Sequence, residues 1–343
     1  MHVLVIKMSS MGDVLHTLPA LTDASGEIPG IRFDWVVEDS FAQIPAWHPA
    51  VDRVIPLSLR KWRKHPRSWF GREVQNSIRS LRRTRYNHVI DAQGLLKSAA
   101  IARLARGRRA GYAYDSAREP MAALAYADQT TVPGGLHAIE RSRRLFAHAL
   151  GYGCPNTPPD YAVTKDDFSP SGPYTQPYLV FNHASTWKTK SWPGQYWQQL
   201  IGLAATGGYR VLLPWGNAAE REWAAHLARG HDHAELLPRM ELDPLAAVLA
   251  HATAVVSVDT GLGHLTAALG TPAVSIYGAT DPALTGTVGE RQHHLKARFD
   301  CSPCFNRQCT YSGPGEVAPA CYATVSPDQV WSTLRLCINR GTQ

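Results

Sequence analysis

The chain has 343 residues, of which 44% are hydrophobic and 18% charged, and its net charge is +7. This composition excludes an intrinsically disordered protein, and no apolar run reaches the roughly 18 residues that a membrane-spanning helix needs. The first apolar run, residues 3–6, is too short for a secretory signal. We therefore expect a cytoplasmic protein whose cysteines are thiols.

Strands and helices alternate along the first 150 residues. The chain opens with a predicted strand at 2–6, a turn at 9–12, the single acid Asp13 and a predicted helix at 14–24. The remaining predicted strands cover 33–37, 53–57 and 88–91, and the remaining predicted helices cover 71–83, 95–105 and 138–150. This alternation predicts a parallel sheet with helices on both faces.

Asp13 stands where the first strand is followed by a helix. As a structural residue it would cap that helix, because a carboxylate is favoured at a helix N-terminus. As a functional residue it would face a ligand, because ligands of open α/β sheets bind beyond the carboxyl ends of the strands. The local sequence leaves both interpretations open.

A strongly basic segment follows at residues 60–85. It contains ten Lys or Arg residues against the single acid Glu73, and so carries a charge of +9. Trp62, Trp69 and Phe70 are interleaved with these charges. A solvated surface would usually mix both signs, so the segment predicts a polyanionic partner such as an anionic lipid surface or a phosphorylated substrate. We expect no nucleic acid, because no recognised module for it is present.

A second alternation follows the Pro- and Gly-rich stretch at 151–177, which we interpret as a linker. Its predicted strands are 178–183, 209–216, 253–261 and 272–278, and its predicted helices are 193–208, 217–230, 243–252 and 262–270. We therefore predict two doubly wound α/β domains, at 1–165 and 166–325. Residues 326–343 are predicted to form a C-terminal helix. One arrangement open to this helix is packing back against the N-terminal domain.

Three strand-to-helix turns of the second domain carry polar side chains. The residues concerned are Ser185, Thr186, Lys188 and Lys190 in the first turn, Gly216 and Glu220 in the second, and Asp259, Thr260, Gly261 and His264 in the third. Hydroxyls, a lysine and glycines at helix N-termini are typical of phosphate sites, and an acid beside them can accept a hydrogen bond from a sugar hydroxyl. These turns together predict a nucleotide-diphosphate pocket. Neither a P-loop nor a G-x-G-x-x-G motif is present, which disfavours kinases and dehydrogenases.

Four cysteines, Cys301, Cys304, Cys309 and Cys321, form a Cys-x2-Cys-x4-Cys-x11-Cys pattern. Only the first pair has the spacing of a zinc-ribbon knuckle. Loop thiols without a metal are the favoured interpretation, and a structural metal site is the alternative.

The chain resembles the lipopolysaccharide heptosyltransferases of glycosyltransferase family nine. The resemblance covers residues 1 to about 290 and is densest in "KMSSMGDVLHTLPALTDA", "VIDAQGLLKSA", "SAREP", "LPWG" and "VVSVDTGLGHLTAALGTPAVSIYGATDP". It implies a GT-B fold, in which two Rossmann-like domains face each other across a cleft, and a metal-independent glycosyltransferase without a cofactor. It further implies ADP-heptose as the donor, Kdo–lipid A as the acceptor and a peripheral place on the inner face of the inner membrane.

The resemblance also assigns roles to individual residues. Asp13 takes the place of the catalytic base, and Lys190 meets the charge that develops on the departing diphosphate. The implied donor-binding residues are Ser185, Thr186, Lys190, Glu220, Asp259, Thr260, Gly261 and His264. The expected acceptor-binding residues are Ser9, Ser10, Gly12, Arg60, Arg63, Lys64 and Arg118. Ser185 stands where the family usually has threonine, and it keeps the hydroxyl.

Two other functions stay open from the sequence. The cysteine-bearing tail after residue 300 looks more like that of relatives that add heptose to an existing heptose, which would change the acceptor. A non-catalytic module that docks on lipid A through the basic segment is the alternative from a different class, but it would leave the three polar turns unexplained. A nucleotide-sugar epimerase of similar architecture is a third enzyme candidate.

Overall fold

A computed structural model of the chain describes residues 1–64, 71–170, 172, 174 and 176–339, with the side chain of Arg63 left out. The chain divides into two compact units, Met1–Val163 and Thr164–Gln343. Among the described residues, no helix is both long enough and apolar enough to cross a bilayer.

The first unit is built on a parallel sheet of six strands within the described residues. The strands are β1 (His2–Ile6), β2 (Arg32–Glu38), β3 (Val51–Leu57), β4 (Arg85–Asp91), β5 (Arg106–Tyr112) and β6 (Asp128–Thr130). The helices are α1 (Met11–Leu15), α2 (Leu18–Glu27), α3 (Gln43–Ala46), α4 (Leu59–Lys64), α5 (Arg72–Arg83), α6 (Leu96–Leu104) and α7 (Ala138–Leu150). A 3-10 helix at Pro120–Ala125 lies beside α6.

The second unit repeats this architecture, again with six parallel strands among the described residues. The strands are β7 (Tyr178–Asn182), β8 (Arg210–Leu213), β9 (Ala234–Leu236), β10 (Ala254–Val258), β11 (Ala273–Tyr277) and β12 (Gln292–Lys296). The helices are α8 (Gly194–Thr206), α9 (Ala218–Ala228), α10 (Leu242–Ala250), α11 (Gly261–Ala268), α12 (Pro282–Thr285) and α13 (Pro327–Asn339).

Both sheets have the same strand order. The first sheet runs β3-β2-β1-β4-β5-β6, and the second runs β9-β8-β7-β10-β11-β12. In each case the order reverses between the unit's first and fourth strands. Open α/β sheets bind ligands beyond the carboxyl ends of the strands at such a reversal. The topology therefore marks one ligand site at the β1/β4 edge and another at the β7/β10 edge, and it confirms the predicted doubly wound α/β class.

The C-terminal helix α13 packs in the second unit. Its residues Val330, Leu334 and Cys337 are buried in that unit's hydrophobic core, and α13 contacts β10, β11 and α8. The buried apolar side chains of α13 therefore cover one face of the second sheet. Packing of this helix against the N-terminal domain stays a prediction.

The basic segment contributes to the first unit's core as well as to its surface. Trp62 is buried together with Val74 and Leu81. It is thus a packing residue, whereas the sequence grouped it with the charges that contact a partner. Lys61 forms an ion pair with Glu73, with Nζ 3.0 Å from Oε2. Arg67, Trp69 and Phe70 lie outside the described residues.

Candidate active site

Asp13 lies beyond the carboxyl end of β1, as the third residue of α1. Its Oδ2 accepts hydrogen bonds from the Ser10 backbone N–H and from the Ser10 hydroxyl, both at 2.9 Å. The carboxylate thus caps the helix as the partner of the N-cap residue Ser10, and is not the N-cap itself. Its side chain is still 20% exposed, so the capping role leaves part of the carboxylate open to a ligand.

Two cations flank this carboxylate. Lys7 Nζ lies 3.8 Å from Asp13 Oδ1, and Arg118 Nη1 lies 3.9 Å from Oδ2. Burial alone would raise the pKa of Asp13, but the charges of Lys7 and Arg118 and the hydrogen bond from Ser10 lower this pKa to about 2. Asp13 is therefore ionised at neutral pH and is a weak base.

Lys7 and Arg118 differ in what else they can do. Lys7 is buried, and its ammonium also donates to the Ala92 carbonyl oxygen at 2.8 Å. Burial lowers the pKa of Lys7, and Asp13 acts in the opposite direction. The Arg118 side chain is 61% exposed, so it has donors available for an anionic ligand. The sequence interpretation included Arg118 but missed Lys7.

Gln93 holds the loop between β1 and α1 in place. Its Oε1 accepts hydrogen bonds from the backbone N–H groups of Met8 and Ser9 at 2.9 and 3.2 Å, and its Nε2 donates to the Ser9 carbonyl at 2.7 Å. Asp91 in turn accepts from the Gln93 and Gly94 backbone N–H groups. Residues 91–94 therefore fix the segment that leads to Asp13, a role that the sequence interpretation did not identify.

The other expected acceptor residues lie at the same edge of the first sheet. Gly12 is buried in α1, and Ser9 is half-buried. Arg60 and Lys64 are exposed on α4, which directly follows β3. The Arg60 guanidinium stacks 5.4 Å from the Phe41 ring centroid. The side chain of Arg63 lies outside the described part of the structure.

Asp259 follows β10 in the second unit and forms a buried ion pair with Lys190. Lys190 Nζ is 2.7 Å from Asp259 Oδ2, and the Thr280 hydroxyl donates to the same oxygen at 2.6 Å. His264 Nε2 is 3.6 Å from Oδ1. Burial alone would raise the pKa of Asp259, but the hydrogen bond from His264 and the charge of Lys190 hold this pKa well below its usual range. The structure thus brings Lys190, Asp259 and His264 together, with Thr280 as a partner that the sequence interpretation missed.

The remaining donor residues make contacts within their own turns. Glu220 Oε2 accepts from the Gly216 backbone N–H at 2.8 Å, and Ser185 Oγ accepts from the Trp187 N–H at 3.4 Å. Thr186 is exposed. Thr260 is the N-cap of α11, whose first residue is Gly261.

Trp187 adds a feature that the sequence did not suggest. Lys190 Nζ lies 4.5 Å and Arg307 Cζ 5.4 Å from the centroid of its ring. The ring therefore contacts two cations, one of which, Lys190, is also paired with the buried acid Asp259.

The four cysteines of the tail all follow β12. Among the described residues, no group of three or more His, Cys, Asp or Glu side chains is arranged to hold a metal ion. The cysteines are free thiols, and Cys301 and Cys309 are exposed. Lys188 and nine of the residues between 308 and 320 line a cavity of about 500 Å³.

Comparisons with known proteins agree with this geometry. The family model described as glycosyltransferase family 9 (heptosyltransferase) matches residues 74–313. A lipopolysaccharide heptosyltransferase 1 from Pseudomonas aeruginosa is 48% identical, over 97% of each chain. The structure of Escherichia coli heptosyltransferase WaaC with ADP is 46% identical, with a TM-score of 0.86 over 98% of this chain and all of that one. The same enzyme with ADP-2-deoxy-2-fluoro heptose gives 45% identity and a TM-score of 0.83, over 98% and 99% of the two chains.

Proposed function

The chain belongs to glycosyltransferase family 9, and from that premise we propose that it transfers heptose from ADP-heptose to the Kdo sugar of Kdo–lipid A. Charged groups at two sheet edges carry the proposal: the ionised Asp13 beyond β1, and the Lys190–Asp259 pair beyond β7 and β10. A relative that is similar over almost the whole chain is named lipopolysaccharide heptosyltransferase 1. The similar enzyme WaaC has been solved with ADP and with an ADP-heptose analogue.

The donor is assigned to the second unit. There Lys190 supplies a positive charge for the diphosphate, and the backbone N–H groups at the start of α11 can donate to phosphate oxygens. When the donor binds, a phosphate competes with Asp259 for the Lys190 ammonium. Asp259 and Glu220 can then accept hydrogen bonds from sugar hydroxyls.

The acceptor is assigned to the first unit. Arg118 beside Asp13, and Arg60 and Lys64 on α4, are suited to the carboxylate and phosphate groups of Kdo–lipid A. In the reaction the acceptor hydroxyl oxygen bonds to the anomeric carbon of heptose while the bond from that carbon to the ADP oxygen breaks. The hydroxyl proton passes to Asp13, and Lys190 stabilises the charge on departing ADP.

The low pKa of Asp13 constrains this mechanism. A carboxylate with a pKa of about 2 takes a proton readily only after the acceptor oxygen has lost most of its electron density to the new bond. Its negative charge can also stabilise an oxocarbenium-like transition state. Asp13 would thus contribute through its charge and position as much as through basicity.

We place the reaction at the cytoplasmic face of the inner membrane, because the proposed acceptor is a lipid. The exposed arginines of α5, namely Arg72, Arg79, Arg82 and Arg83, would be attracted to anionic lipid there.

An acceptor comparison tests the proposed function. Purified protein is given ADP-heptose with either Kdo–lipid A or an acceptor that already carries one heptose, and release of ADP is measured. We expect release with Kdo–lipid A. ADP release only with the heptosylated acceptor would favour transfer of heptose to an existing heptose. Binding of lipid without any ADP release would favour a non-catalytic docking module.

A further inference from the structure

The first unit exposes large apolar side chains on two neighbouring helices. Leu96 is 54% exposed and Leu104 40% on α6, and Met121 is 54% and Leu124 68% exposed on the 3-10 helix Pro120–Ala125. The two helices are packed together by the small buried cluster of Ala99, Ala122 and Tyr126. We call the exposed faces of these two helices the α6 surface.

Positive charge accompanies these apolar side chains. The exposed residues of α6 are Leu96, Lys97, Ala100, Arg103 and Leu104. Their spacing of three or four places them on one face of the helix. Neither helix contains an acidic residue. The adjoining acid Glu119 is engaged, because its Oε2 accepts from the Leu96 backbone N–H at 2.6 Å.

The cationic surface continues onto α5, which contacts α6. Arg72, Arg79, Arg82 and Arg83 are exposed there, at spacings that share one helix face. The other exposed large apolar side chains among the described residues are Met1 and Tyr114 in the first unit, and Trp223 on α9, Phe305 and Tyr311 after β12 and Leu336 on α13 in the second. The α6 surface is thus a local concentration of apolar and cationic groups.

We propose that the α6 surface inserts its apolar side chains into the headgroup region of an anionic lipid bilayer. Leucine and methionine flanked by lysine and arginine are the chemistry of helices that lie in a membrane interface, where apolar burial and attraction to anionic lipid act together. An acidic protein partner would satisfy the cations but leave four large apolar side chains without a reason to be exposed.

The α6 surface is also linked to the first-sheet site. Arg118, which lies 3.9 Å from Asp13, directly precedes Glu119, which is bonded to the start of α6. A bilayer against this surface would hold a lipid-anchored acceptor near Asp13. This consequence rests on the proposed function, whereas bilayer binding itself does not.

Vesicle binding tests the proposal with two double variants, Leu96→Ser/Leu104→Ser and Met121→Ser/Leu124→Ser. The probe is vesicles of phosphatidylethanolamine and phosphatidylglycerol without acceptor, compared with neutral phosphatidylcholine. We expect the wild type to bind the anionic vesicles, and each double variant to lose about tenfold or more in partitioning. The control is Leu336→Ser, which removes a comparably exposed leucine from α13 and should bind as the wild type does.

Three further readouts separate the outcomes. Urea unfolding of the first unit should be unchanged in every variant of that unit, which shows that the variants are folded. Lys97→Gln/Arg103→Gln should bind less tightly at low salt, with a smaller difference at high salt. Wild-type vesicle binding by both double variants, or a self-association that they abolish while vesicle binding is unaffected, would overturn the proposal. Failure of heptose transfer with intact vesicle binding would instead reject the proposed function alone.

Discussion

Asp13 combines two roles that its sequence position presents as alternatives. It closes the first turn of α1 through Ser10, and it carries a stable negative charge beside Lys7 and Arg118. The helix-capping bonds use one carboxylate oxygen, so they orient the group without covering it. Asp13 can therefore cap α1 and still present its negative charge to a ligand.

The sequence predicted which polar residues stand at the sheet edges, but not which of them pair. Lys190 and Asp259 belong to separate turns, and both were expected to contact the donor. Their 2.7 Å ion pair depends on β7 and β10 being neighbours, which no local pattern reveals. Gln93 was missed for the same reason, because its partners Met8 and Ser9 are distant in the chain.

Replacing Lys190 by methionine should weaken ADP binding and also destabilise the second unit. The substitution leaves the buried charge of Asp259 with Thr280 and His264 as its partners within the described part of the chain, and breaking a buried ion pair from one side typically costs about 3–5 kcal/mol. Calorimetric titration with ADP and urea unfolding measure the two effects. The double variant Lys190→Met/Asp259→Asn should recover stability but not ADP affinity. Unchanged ADP affinity in Lys190→Met would remove Lys190 from the donor site.

Mild acid should destabilise both units through one buried histidine in each. Burial lowers the pKa of His48 and that of His183 to about 4, while an unfolded histidine titrates near 6.5. Between these values the unfolded chain binds more protons, so the free energy of unfolding falls as the pH drops from about 6.5 towards 4. At pH 5 we expect a loss of about 2 kcal/mol for each histidine.

Urea unfolding at pH 7.5 and pH 5 measures this loss. His48→Gln should reduce the pH dependence of the first unit, whereas His148→Gln, which removes an exposed histidine of the same unit, should not. A free energy of unfolding that stays constant between these pH values would contradict the assignment.

At the scale of elements, the apolar pattern predicted the strands that contain an apolar run and missed β5, β6, β9 and β12. β5 has the sequence "RGRRAGY" and is apolar only towards its end. It forms a strand because it pairs with β4 and β6, and no apolar pattern in its own sequence predicts that pairing. β6 and β9 have three residues each. The helix predicted at 14–24 is in fact two, because Pro19 lies in the first turn of α2, where proline is favoured.

The hydrogen bonds between Gln93 and the loop before α1, which we call the Gln93 clamp, can be tested by substitution. Gln93→Ala removes three hydrogen bonds to Met8 and Ser9, and should let Asp13 move. We expect kcat to fall by about tenfold to a hundredfold with little change in donor KM, because small displacements of a reacting group are costly. Gln129→Ala, which removes one hydrogen bond to Ala123 in the same unit, is the matched control. Equal kcat values for the two variants would reject the clamp.

For the molecule as a whole, one strand order used twice explains why site residues occur where they do. Each sheet reverses its order next to its first strand, and each reversal lies beside a charged group, Asp13 in one unit and the Lys190–Asp259 pair in the other. Proton transfer is assigned to one sheet edge and nucleotide binding to the other. We therefore expect that chemistry and donor binding can be lost separately.

Asp13→Asn tests this claim most directly, because it removes the charge at nearly constant shape. Donor affinity is measured by calorimetric titration with ADP, and turnover is measured on the same preparation with ADP-heptose and Kdo–lipid A. We predict that turnover falls by about 10²–10⁴-fold while ADP affinity stays within about twofold of the wild type. A variant that keeps more than about a third of the wild-type turnover, or that loses ADP binding together with turnover, would contradict the account.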